Sequence, residues 1–175
     1  FVYRIGCKVK AFFRNKYVNS CCTSVLSSPP RILGDITINA KNVKFGSNVV
    51  IYPGVYIWGE NIEIGNNVNI GVGTIIFSCK RVYIGDDTII AGQCYIIDSN
   101  HSIDKNMVIQ KQSLKTAVEG IFIGKDVWIG AQCFILKGAK INNGAVIGAQ
   151  SLVNKEIPSY AVAFGTPAEV KSYRK

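Results

Sequence analysis

An all-β protein built as a parallel β-helix is predicted by three features of this sequence. Large aliphatic residues return every six positions, a smaller or β-branched residue stands two places before each, and Gly followed by Asn or Asp fills many of the intervals. The beat is clearest in "IGKDVWIGAQCFILKGAKINNGAVIGAQSLV", where Ile or Val occupies 123, 129, 135, 141, 147 and 153. A lone strand alternates with period two and a helix with period 3.6, so neither produces a beat of six.

Each slot has a physical assignment. The large residue and the one two places before it, such as Thr88 with Ile90 or Cys133 with Ile135, face the same side of a short strand. Gly-Asn and Gly-x-Asp steps supply turns, because these residues tolerate left-handed backbone angles. One strand and one turn per six residues wind into coils with flat faces, and stacking buries an aliphatic column that no single coil can bury alone. Earlier segments keep the beat with two resets. Phe45, Ile51 and Ile57 give way after a one-residue slip to Ile64, Ile70 and Ile76, and a two-residue slip leads to Ile84, Ile90 and Ile96. Those slips are expected to be enlarged corners. The general crossover rule for parallel strands favours a right-handed coil.

The predicted organisation is an amphipathic cap over residues 1–31, a solenoid over 32–157 interrupted by a loop at 97–120, and an extension over 158–175. In "FVYRIGCKVKAFFRNKYV" the apolar positions 1, 5, 9, 12 and 13 alternate with Lys or Arg at 4, 8, 10, 14 and 16. That spacing predicts a helix that covers the open end of the solenoid, with peripheral membrane contact through residues 1–18 as the sharper expectation. The basic tail after Pro158 reads as a short extended piece and a final helical turn. The interruption carries His101, the single histidine of the chain.

The chain has 175 residues and a formal net charge of +9, which favours anionic partners without choosing among them. No nucleic-acid-binding pattern is legible, so no nucleic-acid partner is expected. Six cysteines without a C-x-x-C pair, and one histidine, predict no metal site and free thiols in a reducing cytoplasm. No apolar run is long enough to span a bilayer, and no secretory signal pattern is visible in a chain that opens on Phe1. The location expected is the cytoplasm, at the inner face of the membrane if residues 1–18 touch lipid.

The repeat, the internal D-x-x-H loop and "DVWIGAQCFILKGAKINNGAVIGAQSLVNKEIPSYAVAFGTPAEV" resemble the hexapeptide-repeat acyltransferases, and within them the galactoside, maltose and polysaccharide O-acetyltransferase branch. The resemblance runs from about residue 32 to 171 and is densest over 123–168. It implies a left-handed β-helix, against the crossover rule, with short N- and C-terminal helical segments. It also implies a homotrimer with sites between subunits, acetyl-CoA as co-substrate, direct transfer in a ternary complex, and His101 as catalytic base. The matching positions place Ala131 and Ala149 on the pantetheine arm by their backbones, and Asn154 and Lys155 near the nucleotide end. Trp128 points outward between inward Val127 and Ile129, so it is a candidate to line the cofactor groove or a subunit interface. Glu169 departs from the basic residue common at its position, with Lys171 and Arg174 as nearby substitutes.

Acetylating a hydroxyl requires a base, a group that fixes the base's tautomer and a donor for the developing oxyanion. His101 is the base candidate; Asp98, Asn100 and main-chain carbonyls are candidates to orient it. An acyl-cysteine route through Cys79 or Cys94 is the alternative, although Cys94 falls on an inward slot. The early coils offer only Thr74 and Ser78 as polar ligands for an acceptor, which separates this chain from enzymes for simple galactosides. The function expected is O-acetylation of a sugar hydroxyl, in a surface polysaccharide or its precursor. The alternatives are N-acetylation of an amino sugar and a non-catalytic scaffold; a zinc carbonic anhydrase would need three histidines.

Overall fold

The structure, a computed structural model, describes residues 29–175. The chain winds into a parallel β-helix of about seven turns with three faces. On the first face, two-residue strands Arg31–Ile32, Val50–Ile51, Asn69–Ile70, Ile89–Ile90, Trp128–Ile129 and Val146–Ile147 stack in parallel, and Ala161–Phe164 continues the ladder. The longer strands Thr37–Phe45, Tyr56–Ile64 and Ile75–Ile84 cross both the second and third faces. Later coils divide those faces into short strands, including Phe134–Ile135 and Leu152–Val153 on the second and Lys140–Ile141 and Glu156–Ile157 on the third.

The six-residue beat maps directly onto three inward columns. Ile51, Ile70, Ile90, Ile129 and Ile147 line the first face. Ile57, Ile76, Ile96, Ile135 and Val153 line the second, and Ile64, Ile84, Ile123, Ile141 and Ile157 the third. All are buried, as are the small slots between them, from Val49 and Thr88 to Cys133 and Ser151. Burying each large side chain contributes about 1.5–3 kcal/mol, so the columns are the main source of stability. Both slips lie at the corner between the second and third faces, where a long strand bends, at Gly59 with φ +116° in Tyr56–Ile64 and at residues 78–81 in Ile75–Ile84.

The other two corners are tight. Between the third and first faces the left-handed position is held by Asn48, Asn67, Asp87, Asp126, Gly144 and Tyr160. The Asn48 amide donates to Asn67 Oδ1 at 3.1 Å, and the Asn67 amide to Asp87 Oδ1 at 2.8 Å. Between the first and second faces the same angle falls on Gly54 and Gly73, then on Gln93, Gln132 and Gln150. Their amides form a second ladder, Gln150 to Gln132 at 3.1 Å and Gln132 to Gln93 at 3.0 Å.

The C-terminal end differs from expectation. The parallel ladder runs on to Ala163, beyond the boundary read at 157. In place of a helical turn, Glu169–Tyr173 folds back as an antiparallel strand on Ala161–Phe164. The last coil leaves main-chain groups unpaired at its edge, and pairing them outweighs the local preference of a short basic tail. Arg174 fastens this strand by donating to Asp126 Oδ2 at 2.8 Å and to the Gly144 carbonyl at 3.0 Å. The predicted helix over 1–18 and Cys7, Cys21 and Cys22 lie outside the described residues.

Truncating Ile129 to Ala should lower unfolding stability by about 2–5 kcal/mol in urea denaturation. Lys140→Ala, which removes only an exposed ion pair with Glu156, should cost no more than about 1 kcal/mol. Similar losses for the two would show that the inward columns are not the core.

Candidate active site

The interruption leaves the solenoid at the bend between the second and third faces, just after Tyr95–Ile97. It rises as an antiparallel hairpin in which Ser99, Asn100 and His101 pair with Thr116, Lys115 and Leu114. The chain returns at Gly120, with φ +76°, and Ile121–Ile123 settles on Val82–Ile84 as though no residues had intervened.

Asp98 forms the root of this hairpin. Its carboxylate is fully buried and accepts the Cys79 N–H at 2.7 Å on Oδ1. On Oδ2 it accepts the N–H groups of Lys80 and Arg81, both at 2.8 Å, and the Ser78 hydroxyl at 3.3 Å. The bend at 78–81 shifts the ladder between Gly59 and Asn61, so these donors need an acceptor from outside the strand. The carboxylate read as an orienting group for His101 is therefore committed to main chain, and the hydrogen-bonding pattern gives it no bond to the imidazole. Asn100 remains beside His101.

His101 is exposed at the mouth of a cleft of about 590 Å³ on the second face. Asn100, Ser99 and Leu114 come from the hairpin, and Tyr56, Trp58, Ile75, Phe77, Tyr95 and Ile97 form the floor. The Trp58 and Phe77 rings lie 4.5 Å apart at 42°. On the far side of Leu114 a second cleft, of about 460 Å³, holds half-buried Cys79. Thr74 and Ser78 do not face an acceptor. Both are buried, with Thr74 Oγ1 donating to the Ala91 carbonyl and the one Ser78 hydroxyl proton shared between Asp98 Oδ2 and the Asn61 carbonyl.

Cys94 is a core residue stacked beneath Cys133, and its thiol donates to the Gly130 carbonyl at 3.2 Å. The Cys133 thiol and burial push the Cys94 thiol up, and at 1% exposed it presents no sulfur to an acyl donor.

The residues matched to cofactor contacts divide into separate places. Ala131 and Ala149 sit exposed at the corner between the first and second faces, one coil apart. A cleft of about 620 Å³ adjoins them, lined by Gln93, Gln132, Gln150, Phe134, Leu152 and Thr166. Trp128 projects from the first face and is 54% exposed, while Val127 and Ile129 beside it point inward. Asn154 and Lys155 are exposed at the bend from which the hairpin springs, two coils further along. None of the five lines the cleft of His101. Glu169 pairs with Lys171 at 2.9 Å, and Arg174 is occupied with Asp126. Among the described residues no cluster of His, Cys, Asp and Glu has metal-binding geometry.

Residues 120–155 match the family model described as bacterial transferase hexapeptide (six repeats). Over that segment the chain is similar to the hexapeptide-repeat proteins. A galactoside O-acetyltransferase of Lactococcus lactis subsp. lactis (strain IL1403) is 58% identical over 36 residues, which is 21% of this chain and 17% of that protein. The chain thus spans about a sixth of the length of that relative. Among solved structures, one is a point mutant of AntD, an N-acyltransferase from Bacillus cereus, in complex with dTDP-4-amino-4,6-dideoxyglucose and coenzyme A. It is similar at a TM-score of 0.71 and 20% identity, over 93% of this chain and 89% of that one. A putative acetyltransferase of Bacillus cereus gives 0.62 and 26%, over 85% and 80%. A galactoside acetyltransferase in complex with coenzyme A gives 0.57 and 25%, over 82% and 64%. The fold is the left-handed parallel β-helix, the exception to the crossover rule.

Asp98→Ala strands three backbone N–H groups, each worth about 1–3 kcal/mol when left unpaired. The variant should therefore lose roughly 3 kcal/mol or more in chemical denaturation. A variant as stable as wild type would mean that Asp98 serves the imidazole rather than the hairpin root.

Proposed function

We propose that this protein is an acetyl-CoA-dependent O-acetyltransferase acting on a sugar hydroxyl of a surface polysaccharide or its precursor. The observation that carries the proposal is the placement of the single histidine at the mouth of an aromatic cleft, on a solenoid of the hexapeptide kind.

The corner at Ala131 and Ala149 fits the arm of coenzyme A. Both residues are exposed, their N–H groups have no protein partner among the described residues, and Phe134 and Leu152 supply apolar surface alongside. Two free N–H groups one coil apart suit an arm that carries amides. Trp128 would flank this groove, and Asn154 and Lys155 would meet the nucleotide end, where the ammonium offsets phosphate charge. When bound, acetyl-CoA supplies the acetyl group as an activated thioester. His101 takes the proton of the attacking hydroxyl and later releases it, and Asn100 stands next to it to help fix the ring.

The molecule acts as a homotrimer, in which a neighbouring copy closes the groove over each His101. Support comes from large apolar side chains left outward along the solenoid, among them Ile89, Trp128 and Phe134, each about half exposed. The location proposed is the cytoplasm, at the inner membrane face if residues 1–18 touch lipid; among the described residues no helix is long and apolar enough to cross a membrane.

N-acylation of an amino sugar is the second reading. It is favoured by the similarity to AntD over most of both chains.

Incubated with acetyl-CoA and a panel of glycans, the wild-type protein should release free thiol. His101→Ala should be slower by about 10²–10⁴-fold; equal rates would remove His101 as the base. Mass spectrometry of the product before and after mild alkali separates the two readings, because an ester is cleaved and an amide survives. In sedimentation equilibrium the protein should have three times the 19.1 kDa chain mass, and a monomer at micromolar concentration would rule out the trimer.

A further inference from the structure

Ser99 is an unassigned polar group inside the cleft. It is 2% exposed, and its Oγ is the one buried side-chain oxygen or nitrogen among the described residues without a hydrogen-bond partner. The neighbouring carboxylate offers it no acceptor role, since Asp98 is taken by the donors at 78–81. A buried hydroxyl left unpaired is destabilising, so such a group in a native cleft calls for an explanation.

We infer that Ser99 reads the acceptor: its hydroxyl hydrogen-bonds the sugar hydroxyl adjacent to the one that is acetylated. This rests on His101 being the base. Ser99 and His101 are two apart on one strand, so their side chains leave the same side of it about 6–7 Å apart along the chain. Both line the same cleft. With hydrogen bonds of about 2.8 Å to each side chain, two neighbouring hydroxyls of one ring span that interval. The floor between them holds Tyr56, Trp58 and Phe77, which match the apolar C–H face of a pyranose and offer few competing polar contacts. The ligand class is therefore a pyranose carrying a vicinal diol, with one hydroxyl at His101 and its neighbour at Ser99.

The test is isothermal titration of the full chain with methyl glucopyranoside, galactopyranoside and mannopyranoside, and with their mono-deoxy analogues. At least one parent sugar should bind, and Ser99→Ala should weaken it by about ten- to hundredfold. One mono-deoxy analogue should bind the wild type as weakly as the parent binds Ser99→Ala, and Ser99→Ala should not distinguish that analogue from the parent. Ser99→Ala should also be at least as stable as wild type in urea, because a structural hydroxyl would cost stability on removal. Ser99→Thr, which keeps the hydroxyl, should recover part of the affinity. Binding by none of the pyranosides overturns the inference, as does equal affinity for Ser99→Ala or a loss of stability in that variant. Ser99-dependent binding without acetyl transfer sinks the proposed activity and leaves the diol site standing. Acetyl transfer indifferent to Ser99 sinks the diol site alone.

Discussion

A buried carboxylate holds the hairpin of the candidate site in place. A β-helix coil normally hands its chain to the next coil without a break, because each strand needs the ladder above and below it. Here the chain departs at Asp98 and returns at Gly120, a detour that leaves the N–H groups of Cys79, Lys80 and Arg81 facing inward at the bend. Asp98 accepts all three. The same residue that closes this gap begins the hairpin, so the position of His101 over the aromatic floor follows from a main-chain requirement. A carboxylate suits this job because it accepts several N–H bonds at once and donates none.

The division of labour between faces follows from the same geometry. Inward slots are taken by stacked aliphatics and carry stability. Outward slots are free to vary, and on the second face they collect Tyr56, Ile75, Tyr95 and Phe134 in register. A rigid stack below and a hairpin above form the cleft between them. The corner amide ladder through Gln93, Gln132 and Gln150 runs along the opposite edge of that face.

The repeat was legible because burial imposes it: the stacked columns from Ile51 to Ile157 had to be aliphatic or small, and the sequence shows that beat openly. Asn and Asp at one tight corner were legible because few residues accept a left-handed angle. Glutamine at the other corner was not, since its stabilisation comes from stacking on the next coil rather than from its own backbone preference. The C-terminal strand escaped notice because its partner edge exists only once the last coil is built. His101 stood out as a lone titratable group in a break. The role of Asp98 did not, because a D-x-x-H spacing says nothing of the three N–H groups about twenty residues earlier. Ser99, Trp58 and Phe77 were hidden for a related reason: serine and outward aromatics carry no signal until the fold puts them around one cavity.

The most direct test is amide hydrogen exchange at Cys79, Lys80 and Arg81, followed by NMR in the wild type and in Asp98→Asn. The account predicts that all three amides exchange slowly in the wild type, on the scale of the solenoid ladder. In Asp98→Asn the Lys80 and Arg81 amides, which lose the Oδ2 acceptor, should exchange fast, while amides of Ile129 and Ile147 stay protected. Fast exchange at 79–81 in the wild type, or slow exchange of Lys80 and Arg81 retained in the variant, would contradict it.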